Sequence, residues 1–174
     1  MKKSLFVAAA VLAIAASAVP AHAGSVGLGL LSTDFPAGVF FNLNDKTTVH
    51  FGLGFDKPDT DSADNGELTS QFGILGALEY DIWGGDNWGF GAFPSVSFQS
   101  ASFEDVGTVS VDSATGFNLG LNLGGHFNPV SNVAVYFAHG LNVSIVDSGV
   151  GDSATNIGFE GVNLGELGIA FFIN

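Results

Sequence analysis

The chain has 174 residues, no cysteine, 17 acidic residues and only four lysines. Two of the lysines lie in a predicted leader, so the rest of the chain carries Lys46 and Lys57 against all 17 acids, a net charge near −15. This balance argues strongly against nucleic acid as a partner, because proteins hold phosphates with Lys and Arg. The lack of cysteine excludes a disulfide framework and a lipoprotein attachment site.

Residues 1–23 have the pattern of a secretory signal peptide, and residues 24–174 are predicted to form a single domain. Lys2 and Lys3 precede an apolar run at 5–16, and Ala21-His22-Ala23 is an A-x-A cleavage site. A retained helical anchor is disfavoured because the apolar run is shorter than the roughly 20 residues that span a bilayer. No later segment approaches 18 uninterrupted apolar residues, so any crossing of a membrane must be made with strands.

Eight later segments have the period-two alternation that is typical of strands. In the clearest one, Val49, Phe51 and Leu53 alternate with His50 and Gly52. The eight predicted strands cover residues 25–31, 36–43, 47–55, 68–82, 88–99, 115–127, 133–146 and 157–174.

The connections between these segments alternate in length. Tight links at 44–46, 83–87 and 128–132 are separated by longer polar segments at about 56–67, 100–114 and 147–156. Short turns on one rim and long loops on the other are typical of a transmembrane barrel, and Tyr80, Trp83 and Trp88 cluster at one tight link as an interfacial aromatic girdle would. The predicted fold is all-β: an eight-stranded antiparallel up-and-down transmembrane β-barrel.

A secreted or periplasmic β-sandwich is the alternative architecture. The more polar faces of the predicted strands carry mainly Gly, Ser, Ala and Asn, whereas a sheet face in water usually carries Lys, Glu, Arg and Thr. All 25 glycines follow the leader and make up about 17% of that part of the chain, against an average near 7%. Small residues suit the crowded interior of a narrow barrel, so the barrel is favoured.

The last strand supports a family resemblance. Leu167, Ile169, Phe171 and Ile173 alternate with Glu166, Gly168, Ala170 and Phe172, and Asn174 follows. The chain resembles the small eight-stranded outer-membrane barrels, the group that contains the outer membrane protein A transmembrane domain and the outer membrane protein W family. The resemblance implies a place in the bacterial outer membrane, with outer-membrane lipid around the strands and the barrel-assembly machinery as a partner during biogenesis. That machinery usually reads a terminal aromatic residue, and Asn174 departs from this pattern.

Two residues conflict with regular barrel strands. Pro94 lies within the fifth segment, where its missing backbone donor predicts a bulge or local break. His139 falls on the predicted lipid-facing phase, where a bulge at Gly140 or a neutral imidazole would accommodate it.

Catalysis is disfavoured. The lipid A palmitoyltransferases, which this chain resembles in fold, use an extracellular His with an Asp-Ser pair. Asp-Ser pairs occur in the long loops, but His50, His126 and His139 all lie within predicted strands. A G-x-S-x-G motif is absent, and no base stands beside a nucleophile in the pattern.

Two sets of polar residues are candidate sites. Oxygen ligands crowd the second external loop and predict at most weak Ca²⁺ or Mg²⁺ binding, with a solvated acidic loop favoured; these residues are Asp56, Asp59, Asp61, Asp64 and Glu67. A second set shares the inward phase and predicts a hydrogen-bonded network that fixes register, with a polar gate as the alternative; it comprises His50, Glu79, His126 and Glu166. No cofactor and no metal centre is predicted.

The predicted function is that of a non-enzymatic outer-membrane barrel with a structural or surface-interaction role through acidic extracellular loops. The first alternative is a narrow conduit or binding pocket for small apolar molecules, as the outer membrane protein W resemblance implies. Phe93, Tyr136 and Phe172 on the inward phase disfavour an open channel. A lipid A-modifying enzyme is the third possibility. The pattern leaves the oligomeric state open.

Overall fold

The computed structural model describes residues 25–31, 35–56, 68–103, 113–147, 153–158 and 168–173. These residues form nine strands in one antiparallel sheet. The strands are β1 (Val26–Leu30), β2 (Ala37–Asn44), β3 (Thr47–Asp56), β4 (Leu68–Gly85), β5 (Trp88–Phe103), β6 (Ala114–Val130), β7 (Val133–Asp147), β8 (Ala154–Gly158) and β9 (Gly168–Ile173). The predicted all-β, antiparallel, up-and-down architecture is confirmed. Within the described ranges, no helix has the length and apolar character needed to cross a membrane. The predicted signal peptide, residues 1–23, lies outside them.

The sheet closes on itself as a ring. Each strand from β1 to β7 pairs with the next along the chain, and β9 pairs with both β7 and β1. The predicted eighth segment corresponds to two strands that lie along different parts of β7. β8 pairs with Asn142–Val146 and β9 with Val133–Tyr136, while residues 159–167 between them lie outside the described part.

Two-residue turns at 45–46, 86–87 and 131–132 join strands at one end of the ring, which we call the turn end. Asn44 stabilises the first turn, because its Oδ1 accepts a hydrogen bond of 2.9 Å from the backbone N–H of Lys46. Both β1 and β9 also reach this end, where Val26 pairs with Ile173. The predicted tight links are therefore found at a single rim.

The interior of the ring is filled by large side chains. Phe40 of β2 stacks on Tyr136 of β7, with ring centroids 5.2 Å apart, and His50 of β3 packs edge-on against the same Tyr136 ring at 4.8 Å. Further apolar side chains close the middle of the ring. We call this set the lumen plug; it consists of Leu31, Phe35, Phe40, Phe93 and Tyr136, each at most 6% exposed.

Glycine on the inward face makes room for the lumen plug. A Cβ at Gly52 would lie 2.7 Å from Cδ2 of Leu31 and 2.9 Å from Cβ of Phe35. A Cβ at Gly73 would lie 2.7 Å from Cε1 of Phe35. The small residues of the predicted inward faces therefore mark the positions over which the plug side chains lie.

The two residues that conflicted with regular strands are accommodated without a shift of register at either one. The β4–β5 ladder skips Pro94 and its neighbour Phe93 and resumes in the same register, while Pro94 stays opposite Leu121 of β6. This is a local break rather than a bulge. The β6–β7 ladder runs unbroken past Gly140, and His139 points to the exposed outer face as predicted.

Candidate functional site

A cluster of ionisable side chains lies between the lumen plug and the turn end. Glu79 of β4 is at its centre and is only 1% exposed. Its Oε2 lies 3.1 Å from Nε2 of His50, and its Oε1 lies 2.7 Å from Nδ1 of His126. The structure thus brings together three of the four residues predicted to share the inward phase. Glu166, the fourth, lies outside the described residues.

The local sequence of β5 explains how β4 and β6 can share this cluster. β5 lies between these two strands, and its inward positions here are Gly89 and Gly91. Because Gly89 and Gly91 have no side chains, the side chains of β4 and β6 can meet above this part of the β5 backbone. A Cβ at Gly89 would collide with the carboxylate of Asp81, so the glycine is required for this arrangement.

Asp81 is the member of the cluster that the sequence analysis missed. It is 8% exposed, and its Oδ2 lies 3.8 Å from Nδ1 of His126. Its Oδ1 is buried without a hydrogen-bond partner. The period of two places Asp81 on the same face as Glu79, and this signal could have identified it.

The contacts assign the ring nitrogens. A buried carboxylate is costly unless it accepts hydrogen bonds, and Glu79 accepts one from Nε2–H of His50 and one from Nδ1–H of His126. His50 Nδ1 is buried without a partner, which fits an unprotonated nitrogen better than a buried N–H. Both imidazoles then serve as donors to a single carboxylate, and Asp81 has no comparable donor of its own.

The cluster faces a wide cavity at the turn end, which we call the turn-end vestibule. Its volume is about 1000 Å³, and its wall includes Thr48, Asp81 and His126 together with the turn residues. The same wall carries Asp45 and Asp86 against a single described lysine, Lys46. The vestibule is therefore negatively charged and favours the entry of cations.

The predicted acidic loop site lies almost entirely outside the described residues. Asp56 is the last residue of β3, and nothing beyond its backbone is described. The remaining members of that set, Asp59, Asp61, Asp64 and Glu67, lie outside the described ranges. Weak binding of Ca²⁺ or Mg²⁺ by this loop stays a prediction.

The histidines of the cluster contact carboxylates and aromatic rings. His50 bonds Glu79 and packs against Phe40, Phe93 and Tyr136, and His126 bonds Glu79 and packs against Tyr136. The hydrogen bond described for each histidine goes to the carboxylate of Glu79 and not to a serine or threonine hydroxyl that a histidine base could activate. The arrangement is suited to holding charge or a cation.

Comparison with known proteins finds one structural likeness and no related family or curated protein. No family model matches the chain, and no curated protein matches it. Among solved structures, the chain is similar to a major outer membrane protein from Thermus thermophilus, with 13% identity, a TM-score of 0.40, and coverage of 86% of this chain and 97% of that chain. Because this likeness is low, we base the functional proposal on the residues of this chain alone.

Proposed function

We propose that the chain is an outer-membrane β-barrel that is closed across its interior and has a non-enzymatic, structural or surface-interaction role. The observation that carries this proposal is the apolar outer face of the ring. On β6 the outward side chains of Phe117, Leu119, Leu121 and Leu123 are between 41% and 62% exposed. Neighbouring strands continue the same surface with Leu28, Val96, Phe137, Leu141, Ile145 and Phe171.

This distribution is inverted relative to a protein that folds in water. Soluble monomers rarely expose apolar patches larger than a few hundred Å², whereas this outer face is apolar along several adjacent strands. The buried interior, in turn, holds His50, Glu79 and Asn122. A β-sandwich would bury its apolar faces against each other, so the exposed faces favour a surrounding of lipid.

The ends of the strands support an orientation in the bilayer. Tyr80, Trp83 and Trp88 are about half exposed or more near the turn end, where aromatic side chains of a barrel meet the membrane interface. β4 has 18 residues and β6 has 17, whereas a tilted strand crosses the hydrocarbon core with about 9–11 residues. In this proposal, the strands extend beyond the lipid on the side opposite the turns, and the acidic loops that follow them in the chain meet the cell exterior.

The lumen plug favours a closed barrel over a conduit. The cavity between Leu31, His50, Phe93 and Tyr136 has a volume of only about 10 Å³, close to the lower limit for one water molecule. An apolar pocket is also disfavoured, because the larger cavity at the turn end has many polar and charged residues in its wall. A lipid A-modifying enzyme, the third possibility, gains no support from the contacts of His50 and His126.

The test is the location and the electrophoretic mobility of the mature protein. We expect it in the outer-membrane fraction, with a band in SDS that migrates differently before and after boiling because the closed ring resists detergent until it is heated. Recovery in the soluble periplasmic fraction, with identical mobility before and after boiling, would contradict the proposal. Deletion of residues 57–67 would then test the surface role, with loss of surface interaction expected and retention of the heat-dependent shift as the control for folding.

A further inference from the structure

We propose that the floor of the turn-end vestibule is a binding site for a divalent transition-metal ion, with Glu79, Asp81 and His126 as ligands and Zn²⁺ as the probe that would reveal it. The proposed site goes beyond the structural role of the barrel. It can exist whether the outer face of the ring meets lipid or water. It rests on the distances between the ligand atoms, on an unpartnered carboxylate oxygen and on the route from the vestibule.

The distances suit a single ion. One ligand atom from each of the three residues lies within 4.8 Å of the other two. Nδ1 of His126 is 2.7 Å from Oε1 of Glu79 and 3.8 Å from Oδ2 of Asp81. Tetrahedral Zn²⁺ holds nitrogen and oxygen ligands at about 2.0–2.2 Å, which sets neighbouring ligand atoms roughly 3.4 Å apart. Reaching this geometry from a ligand-atom separation of up to 4.8 Å requires two side chains to approach each other by at most about 1.4 Å.

Asp81 supplies an observation that the hydrogen-bonded network alone does not explain. Its side chain lies in the cluster beside another carboxylate, yet its Oδ1 is buried without a donor. Leaving a buried charged oxygen unpartnered is costly. Gly89 holds the space that this carboxylate occupies, because any Cβ there would collide with it. A cation bound by the carboxylates of Asp81 and Glu79 would compensate the buried charge of Asp81 and relieve the repulsion between the two groups.

The ligand types select the class of ion. One imidazole nitrogen and two carboxylate oxygens suit Zn²⁺ or a similar first-row metal, whereas Ca²⁺ and Mg²⁺ prefer ligand sets made only of oxygen. Three protein ligands leave a fourth position that faces the vestibule, which a water molecule can fill. Binding requires an unprotonated Nδ1, so Nδ1 of His126 gives up the hydrogen that it shares with Glu79, and the remaining ring hydrogen lies on Nε2. His50 then keeps its hydrogen bond to Oε2 of Glu79 and orients the ligand from behind.

The experiment is isothermal titration calorimetry of the tag-free, refolded mature protein in detergent. Zn²⁺ is the titrated ion, and Ca²⁺ is titrated separately for comparison. Asp81→Asn keeps the shape of the ligand and removes its charge, and His126→Gln removes the nitrogen. Asp86→Asn is the matched control, since Asp86 is an exposed residue of the same vestibule outside the cluster. The heat-dependent band shift verifies that each variant is folded.

We expect one saturable Zn²⁺ site in the wild type that binds Zn²⁺ more tightly than Ca²⁺. Asp81→Asn and His126→Gln should each lower the affinity for Zn²⁺ by at least about tenfold. This is the lower end of the effect seen when a residue that orients a metal ligand is mutated. Asp86→Asn should leave the affinity unchanged. Equal affinity in Asp81→Asn and the wild type would overturn the proposal, as would a wild type without a saturable site. If neither cluster variant folds, X-ray absorption of the wild type at one equivalent of Zn²⁺ decides. A spectrum that shows both imidazole and oxygen ligands around Zn²⁺ would support the site. A spectrum that shows oxygen ligands alone would assign the ion to the acidic loops and overturn the proposal.

Discussion

At the scale of single residues, Glu79 has the most demanding environment in the described part of the chain. It is a carboxylate inside a narrow ring, 1% exposed, and its two hydrogen-bond donors come from β3 and β6. Because both donors belong to strands other than its own, the contacts constrain how the three strands pair. That the cluster fixes the register of these strands stays a prediction, which substitution of Glu79 tests.

Replacing Glu79 should reveal the cost of unpaired donors. Glu79→Ala leaves the donors of His50 and His126 without an acceptor, and we expect the free energy of unfolding to fall by about 2–4 kcal/mol. Glu79→Gln keeps one acceptor and should cost about half as much. Urea titration in lipid vesicles, followed by tryptophan fluorescence, measures both, with exposed Asp45→Ala as the control. Equal stability of Glu79→Ala and the control would show that the network contributes nothing.

The glycines beneath the lumen plug offer a second test at this scale. Gly52→Ala places a methyl group 2.7 Å from Leu31 Cδ2, and overpacking of this kind should lower the free energy of unfolding by about 1–3 kcal/mol. Gly116→Ala is the matched control, because a Cβ there meets nothing within 4 Å. That substitution should be neutral or stabilise the protein by up to about 1 kcal/mol. Similar urea midpoints for the two variants would contradict the described packing.

At the scale of elements, β6 shows most directly how one strand divides two environments. Its outward Leu119, Leu121 and Leu123 are exposed, while Asn122 between them is fully buried and donates to the backbone oxygen of Phe93 at 3.0 Å. A strand with this pattern cannot exchange its faces without burying leucines in a crowded interior and removing the asparagine from its partner. The register of β6 is therefore strongly specified by its own sequence.

A charge on the outward face of β6 tests the proposed lipid contact. Leu121 lies midway along the strand, opposite Pro94 and Leu141, and Leu121→Arg should destabilise a lipid-embedded barrel by about 2–4 kcal/mol. Leu121→Phe keeps the position apolar and should cost little. Urea unfolding in vesicles compares the two variants. An arginine tolerated as well as phenylalanine would show that this face meets water.

At the scale of the whole molecule, the ring is open to solvent at the turn end and closed in the middle. The vestibule of about 1000 Å³ ends at the ionisable cluster, and the lumen plug follows directly behind it. Within the described residues, the architecture therefore provides a chamber that is open at the turn end and blocked behind by the lumen plug. Such a chamber can hold an ion or small solute without transferring it.

Conductance in planar bilayers tests this closure. The wild type should show no steady open level, because the rings of Phe40, Phe93 and Tyr136 fill the ring interior. Removal of the stacked pair by Phe40→Ala with Tyr136→Ala should produce measurable current, whereas the outward pair Phe127→Ala with Phe137→Ala should not. A steady open level in the wild type would favour the conduit that the sequence raised as its first alternative.

Much of the fold was predictable, because alternation is a local property. The segment containing Val49, Phe51 and Leu53 was predicted at 47–55 and forms β3 at Thr47–Asp56. Likewise, the shared face of His50, Glu79 and His126 follows from the period of two. The inward phase of Asp81 follows from the same period, but its position beside His126 was harder to predict, because it depends on which residues of β4 and β6 lie beside Gly89. Pairing register between distant strands is not readable from one segment, and the division of the last segment into β8 and β9 was missed for the same reason.

The pairing of β1 with β9 has a consequence for how the protein folds. From β1 to β7 every ladder joins strands that follow each other along the chain, and each can form as a hairpin, but Val26 meets Ile173 only after nearly the whole chain has been made. Bringing such distant segments together costs loop entropy before any contact repays it. Closure should therefore be the last and slowest event, and until then β1 and β9 present unpaired edges. Unpaired strand edges can pair with other chains. The fraction of protein that aggregates should therefore depend on how long these edges stay open before the ring closes, rather than on the stability of the closed ring.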